Sequence, residues 1–119
     1  MSVTIDPANL AKAVARRPFG YLITVSPNGE PHLRAVVFVS EGNALVAAVG
    51  KRSADNVAAN GKATLLWPPH IGGAEEFDDH TVIADGNATV QPRDDGASIC
   101  VVAYSAVWHR PVRPVSPTQ

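Results

Sequence analysis

Turn-forming pairs cut this sequence into short β-rich runs, and that punctuation restricts the fold more than any other feature. Asn28-Gly29 separates Phe19–Val25 (FGYLITV) from His32–Ser40 (HLRAVVFVS). Both runs are dense in aromatic and β-branched residues, which fit a pleated surface, and Asn-Gly is a hairpin signal. Glu41-Gly42-Asn43 turns the chain again into Ala44–Val49 (ALVAAV). These three runs predict an antiparallel meander. Ala63–Trp67 (ATLLW) reads as a fourth strand, halted by Pro68-Pro69. Asp85-Gly86, between Thr81–Ala84 and Asn87–Val90, predicts another hairpin. Pro92–Gly96 reads as a turn, and Ser98–Trp108 as the last strand.

Two segments change period. In the first, Asp6 can cap a short helix, Pro7 fits its first position, and Leu10, Ala13 and Val14 share a face. Arg16 and Arg17 suit its C-terminal end, and Pro18 stops it. The second is Lys51–Asn60 (KRSADNVAAN), with Ser53 as N-cap and Gly61 at the position after the helix. The expected architecture is mainly β, with roughly six to seven antiparallel strands and two short helices. So many strands in a small chain must close on themselves or hide their edges, and a small barrel does this economically.

The chain has 119 residues, of which 45% are hydrophobic and 18% charged. That suits one domain, taken as residues 1–110, and excludes wholesale disorder. From Pro111 to Pro117 a proline recurs every third residue, so 111–119 reads as an extended or disordered tail. A formal net charge of -1 argues against a general nucleic-acid binder. No apolar run approaches the ~20 residues of a membrane span, and the N-terminus lacks a signal-peptide core, so the expected location is cytoplasmic. Cys100, the single cysteine, can form no internal disulfide, and its apolar flanks predict a buried, inert thiol.

Two features carry candidate chemistry. Lys51, Arg52 and Ser53 sit on a tight turn between a strand and a helix start, where free N–H groups and the helix dipole favour an anion such as phosphate. The same turn also reads as two solvated charges ahead of a capped helix. Arg34 lies in an otherwise apolar strand, with Val36 and Phe38 on its face and Leu33, Ala35, Val37 and Val39 on the other. An arginine there needs an anion or solvent.

The order of these elements resembles the FMN-binding split-barrel family related to pyridoxamine 5′-phosphate oxidase. The resemblance rests on the turn Pro27-Asn28-Gly29-Glu30-Pro31-His32, the strand Arg34-Ala35-Val36 and the block ending in Asn56-Val57. It implies a split β-barrel and a homodimer with the flavin at the subunit interface. It also implies that Arg34 and the Lys51-Arg52-Ser53 turn hold the cofactor phosphate. Val36, Val37, Ala48 and Val49 would lie near the ring or ribityl chain. Trp67 would line the cavity or pack in the core, and Trp108, with His109 and Arg110, would approach the partner's flavin or end a strand in the core. Many members carry a lysine three residues before the helix asparagine, where this chain has Ser53. Either Lys51 or Arg52 supplies that charge, or the phosphate grip is weakened or lost. Relatives use FMN, deazaflavin F420 or haem, or hold no cofactor.

The remaining residues add little chemistry. His32, His70, His80 and His109 show no metal-ligand spacing. The irregular acidic loop 70–80 reads as solvated, or as a lid over a ligand. No nucleophile-elbow pattern supports hydrolysis, and no residue stands out as a catalytic acid or base. The expected function is a flavin-dependent oxidoreductase acting on a small molecule. The alternative is a non-enzymatic split barrel that carries or senses flavin, F420 or haem, or binds no cofactor.

Overall fold

A computed structural model describes residues 2–112 and 115. The architecture is mainly β: an eight-stranded antiparallel sheet with two short helices. In chain order the strands are β1 (Ser2–Ile5), β2 (Gly20–Val25), β3 (Pro31–Val36), β4 (Val39–Glu41), β5 (Ala44–Val49), β6 (Lys62–Trp67), β7 (Thr81–Arg93) and β8 (Gly96–His109). The helices are α1 (Leu10–Ala13) and α2 (Lys51–Asn60).

The sheet runs β3-β2-β6-β7-β8-β5-β4, and β1 pairs with the C-terminal half of β8. The expected meander is therefore corrected. β2–β3 and β4–β5 are separate hairpins at opposite ends of the strand order. The sheet curls so that β3 approaches β5 without pairing to it. That unpaired seam is the split of the barrel.

Three further expectations change. The run His32–Ser40 is not one strand: it breaks at Val37-Phe38, where Phe38 turns in to pack on Trp67 with ring centroids 5.1 Å apart. Asp85-Gly86 is not a hairpin turn but a β-bulge inside the 13-residue strand β7. Gly86 is needed there because a Cβ would lie 2.6 Å from Val101 Cγ1 and 2.8 Å from the Val102 carbonyl. β1 was not expected, because its ladder partners lie a hundred residues away on β8 and leave no local mark.

The first helical segment begins as predicted. The Asp6 carboxylate accepts from the Ala8 N–H at 3.0 Å, and Pro7–Asn9 form a 3-10 turn leading into α1. α2 has the predicted bounds and ends at Gly61, in the left-handed conformation at φ 69°. Its N-cap, however, is Gly50 and not Ser53. β5 ends at Val49, so the chain must turn at once, and Ser53 lies inside the first turn with its side chain buried.

Leu22, Leu65, Trp67, Val82, Ile99 and Val101 fill the barrel, and Leu10, Val14 and Ile5 plug one end. α2 lays Ala54 and Val57 on β2, β7 and β8. Of the proline-rich tail, residues 113, 114 and 116–119 lie outside the described residues. No helix among the described residues is long and apolar enough to cross a membrane.

Candidate functional site

The seam between β3 and β5 opens into a cleft of about 510 Å³, and the start of α2 forms its third wall. β3 contributes His32, Arg34, Ala35 and Val36; β5 contributes Ala48 and Val49; Gly50 to Ser53 close the end. The alternation of β3 explains the first group. His32, Arg34 and Val36 share one face of β3, opposite Leu33 and Val37, and Ala35 borders the cleft from between Arg34 and Val36. Arg34 and the 51–53 turn, 17 residues apart at their nearest in sequence, thus border one concavity.

The electrostatics of the cleft are one-sided. Lys51 is paired with Asp55 at 2.7 Å, one helical turn away, which raises its pKa. Arg34 donates only to the neighbouring Leu33 carbonyl, at 2.8 Å. Neither Arg34 nor Arg52 has a carboxylate partner among the described residues. The first backbone bond of α2 runs from the Ala54 N–H to the Gly50 carbonyl at 3.1 Å. The N–H groups of residues 51–53 lie ahead of that bond and belong to the free helix end. Two guanidiniums without counterions beside such a helix end fit a phosphate-sized anion.

Beneath the cleft, the Asn56 amide donates to the Thr24 hydroxyl at 3.1 Å, with both residues buried. This bond ties the first half of α2 to β2, the strand paired with β3. His32 sits directly across from Thr24 in that pairing. Burial first, then the positive charges of Arg34 and Arg52, hold the His32 pKa below its ordinary value. His32 lines the cleft, although the sequence offers it only as the end of the Pro27–His32 turn and as a histidine without metal-ligand spacing. Its place two residues before Arg34, on the same strand face, is the signal that identifies it.

Other predicted residues lie elsewhere. Val37 is 64% exposed just beyond β3 and does not line the cleft. Trp67 is 1% exposed and packs in the core. Trp108 pairs with Val82 near the far end of β8, whereas Ala97 on the same strand pairs with Val49 at the cleft. Those positions are separated by roughly 35 Å of strand. Trp108 instead stacks on Phe77 with centroids 5.0 Å apart, beneath the Arg17 guanidinium.

That far end also holds the acidic loop. Arg17, 8% exposed, donates to the carbonyls of Pro68, Phe77 and His80 at 3.0, 3.1 and 2.6 Å. Arg16 binds Asp78 directly and Glu75 at 3.2 Å. The loop is pinned to the segment that follows α1, and none of its residues borders the cleft. Cys100 is half-buried. No group of three or more potential metal ligands occurs among the described residues.

Comparisons with known proteins agree with this architecture. An uncharacterized protein of Mycobacterium bovis is 35% identical over 96% of this chain and 86% of its own. Three solved structures share the fold. A conserved hypothetical protein of Mycobacterium tuberculosis has a TM-score of 0.68 at 16% identity, covering 96% of this chain and 94% of that one. An FAD-binding protein of Mesorhizobium loti has a TM-score of 0.66 at 13% identity, covering 90% and 96%. An F420 reductase has a TM-score of 0.58 at 20% identity, covering 80% and 94%. Residues 7–117 match the sequence pattern of pyridoxamine 5′-phosphate oxidase, and the chain belongs to that split-barrel family.

Proposed function

We propose that this protein binds FMN in the β3/β5 cleft and serves as a flavin-dependent oxidoreductase for a small molecule. The observation that carries the reading is the pairing of Arg34 and Arg52, both without counterions, at the open start of α2. Charged guanidiniums left unpaired on a concave surface are well matched to a phosphate, which they bind in a fork of parallel hydrogen bonds. A volume of about 510 Å³ falls within the roughly 300–1,000 Å³ typical of small-molecule sites.

The division of labour follows from the walls. Arg34, Arg52 and the N–H groups of residues 51–53 hold the phosphate. Arg52 supplies the charge that relatives draw from a lysine at the position of Ser53. Val36, Ala48 and Val49 give an apolar wall that excludes water and orients a flat ring. The bound flavin supplies hydride or electron transfer, and the protein supplies position and shielding. The cleft contains no carboxylate, which fits chemistry that needs no protein acid.

A homodimer belongs to the same reading. Leu33, Val37 and Val39 are exposed on the outer side of the seam, and Val102 and Tyr104 are exposed on β8. Val39, Val46 and Cys100 are cross-strand neighbours on that side. Burial of this apolar surface against a second copy stabilises both and closes the seam. In such a dimer any contact between Trp108 and a flavin would be with the partner's, because its own cleft lies at the other end of β8.

A non-enzymatic carrier of flavin, F420 or haem is the second reading. Ser53 in place of the usual lysine favours it, because fewer cations then grip the phosphate. Absorbance of the purified protein separates the readings. The flavin reading expects a yellow protein, or one that takes up FMN to about one per subunit, and a flavin that a nicotinamide donor reduces. Bound flavin that neither nicotinamide nor F420 donors reduce favours the carrier. A colourless protein that takes up no FMN contradicts the leading reading.

A further inference from the structure

His32 is 7% exposed, lines the cleft between Arg34 and the start of α2, and makes no hydrogen bond or ion pair among the described residues. No buried side-chain nitrogen or oxygen among the described residues lacks a partner, so the ring nitrogens of His32 stay open to the cleft that the residue lines. Its neighbours set its charge surroundings. Arg34 on its own strand and Arg52 on α2 are cations, Thr24 on β2 is committed to Asn56, and the β5 wall is alkyl. Lys51 is already paired with Asp55, so no carboxylate faces the ring. Burial and then the charges of Arg34 and Arg52 hold the ring's pKa below its ordinary value.

We infer that His32 is a proton-coupled ligand of the cleft, taking up a proton when a dianion docks between Arg34 and Arg52. The inference rests on reading the cleft as a phosphate site and adds a property to it: anion affinity set by pH. A dianion reverses the local field. The two guanidiniums no longer repel a third positive charge, and the protonated ring gains a partner for its N–H. The sign follows from linkage. Affinity is highest at low pH, falls as pH rises through the ring's pKa in the complex, and is flat above it. An anion that raises that pKa by about one unit binds about tenfold tighter below the transition than above it. His70, His80 and His109 belong to the far end of the barrel and do not share this response.

Sulfate is the probe, because it stays a dianion across the range in which histidine titrates. The His32 ring resonances of the wild-type protein are followed by NMR against pH, with and without saturating sulfate, and sulfate affinity is measured at about pH 5.5 and pH 8.5. The expected result is a ring pKa that rises with sulfate and an affinity about tenfold tighter at the lower pH. His32→Gln should bind with one affinity at both pH values, equal to the wild-type value at high pH. The wild-type titration stands without the variant if that variant folds poorly. The same titration is run with FMN. A ring pKa unmoved by either ligand overturns the inference. FMN bound with the ring unmoved overturns it alone, and FMN left unbound removes the flavin reading as well.

Discussion

The Asn56 amide and the Thr24 hydroxyl meet at 3.1 Å below the cleft, a buried side-chain hydrogen bond between α2 and β2. It fixes where the start of α2 sits relative to β3. Thr24→Val keeps the shape but leaves the Asn56 amide without its acceptor, and should lower stability by about 1–3 kcal/mol. Asn56→Ala should cost a similar amount. Since both remove one bond, the double variant should be less destabilised than the sum of the two, as read from urea unfolding. Strict additivity would show that the bond does not couple helix to strand.

Arg17 organises the opposite end. Its guanidinium serves the Pro68, Phe77 and His80 carbonyls and reaches toward that of Trp67 at 3.5 Å. Phe77 holds a left-handed φ of 69°, a conformation that costs a non-glycine residue about 1 kcal/mol or more and persists only when its surroundings impose it. Arg17→Ala should destabilise the protein by about 3 kcal/mol and open the 70–80 loop to protease. Arg17→Lys should rescue little, because a point charge cannot serve carbonyls in several directions. A loop that stays protected in Arg17→Ala would contradict this.

Asp78 gives the loop a pH dependence. Burial pushes its carboxyl up, but the hydrogen bond from Arg16, the Glu75 N–H and the charges of Arg16 and His70 together bring it below the ordinary carboxylate value. A depressed carboxyl stabilises the fold above its unfolded pKa and loses that contribution as pH falls through the folded one. Stability should therefore drop as pH falls below about 4. Asp78→Asn should be less stable at neutral pH and show a shallower acid decline. Equal slopes in acid denaturation of the two proteins would refute the assignment.

How much of this was legible in the sequence depends on the reach of the forces involved. The bounds of α2 were readable, because the Lys51–Asn60 run and Gly61 act locally, but its N-cap was not: it is Gly50 and not Ser53. Arg34 and the 51–53 turn were readable as candidates for one site, since strand alternation and helix-end chemistry are local rules, and they line one cleft. The break at Val37-Phe38 was not readable, for it comes from Phe38 packing on Trp67 across the barrel. Asp85-Gly86 misled because glycine serves a tight turn and a crowded bulge equally well. Only the approach of Val101 and Val102 distinguishes the two. The position of Trp108, remote from the cleft, depends on the full register of β8. That register emerges only from the assembled sheet.

The central claim is that the cleft grips a cofactor by its phosphate. Titration with FMN and with riboflavin, which lacks only that phosphate, tests it directly in the wild-type protein and in Arg34→Ala/Arg52→Ala. Loss of two charge-assisted contacts, each about 1.5–3 kcal/mol, should weaken FMN by at least about a hundredfold and leave riboflavin within a few fold of its wild-type affinity. Equal losses for the two ligands, or no loss for FMN, would contradict the claim.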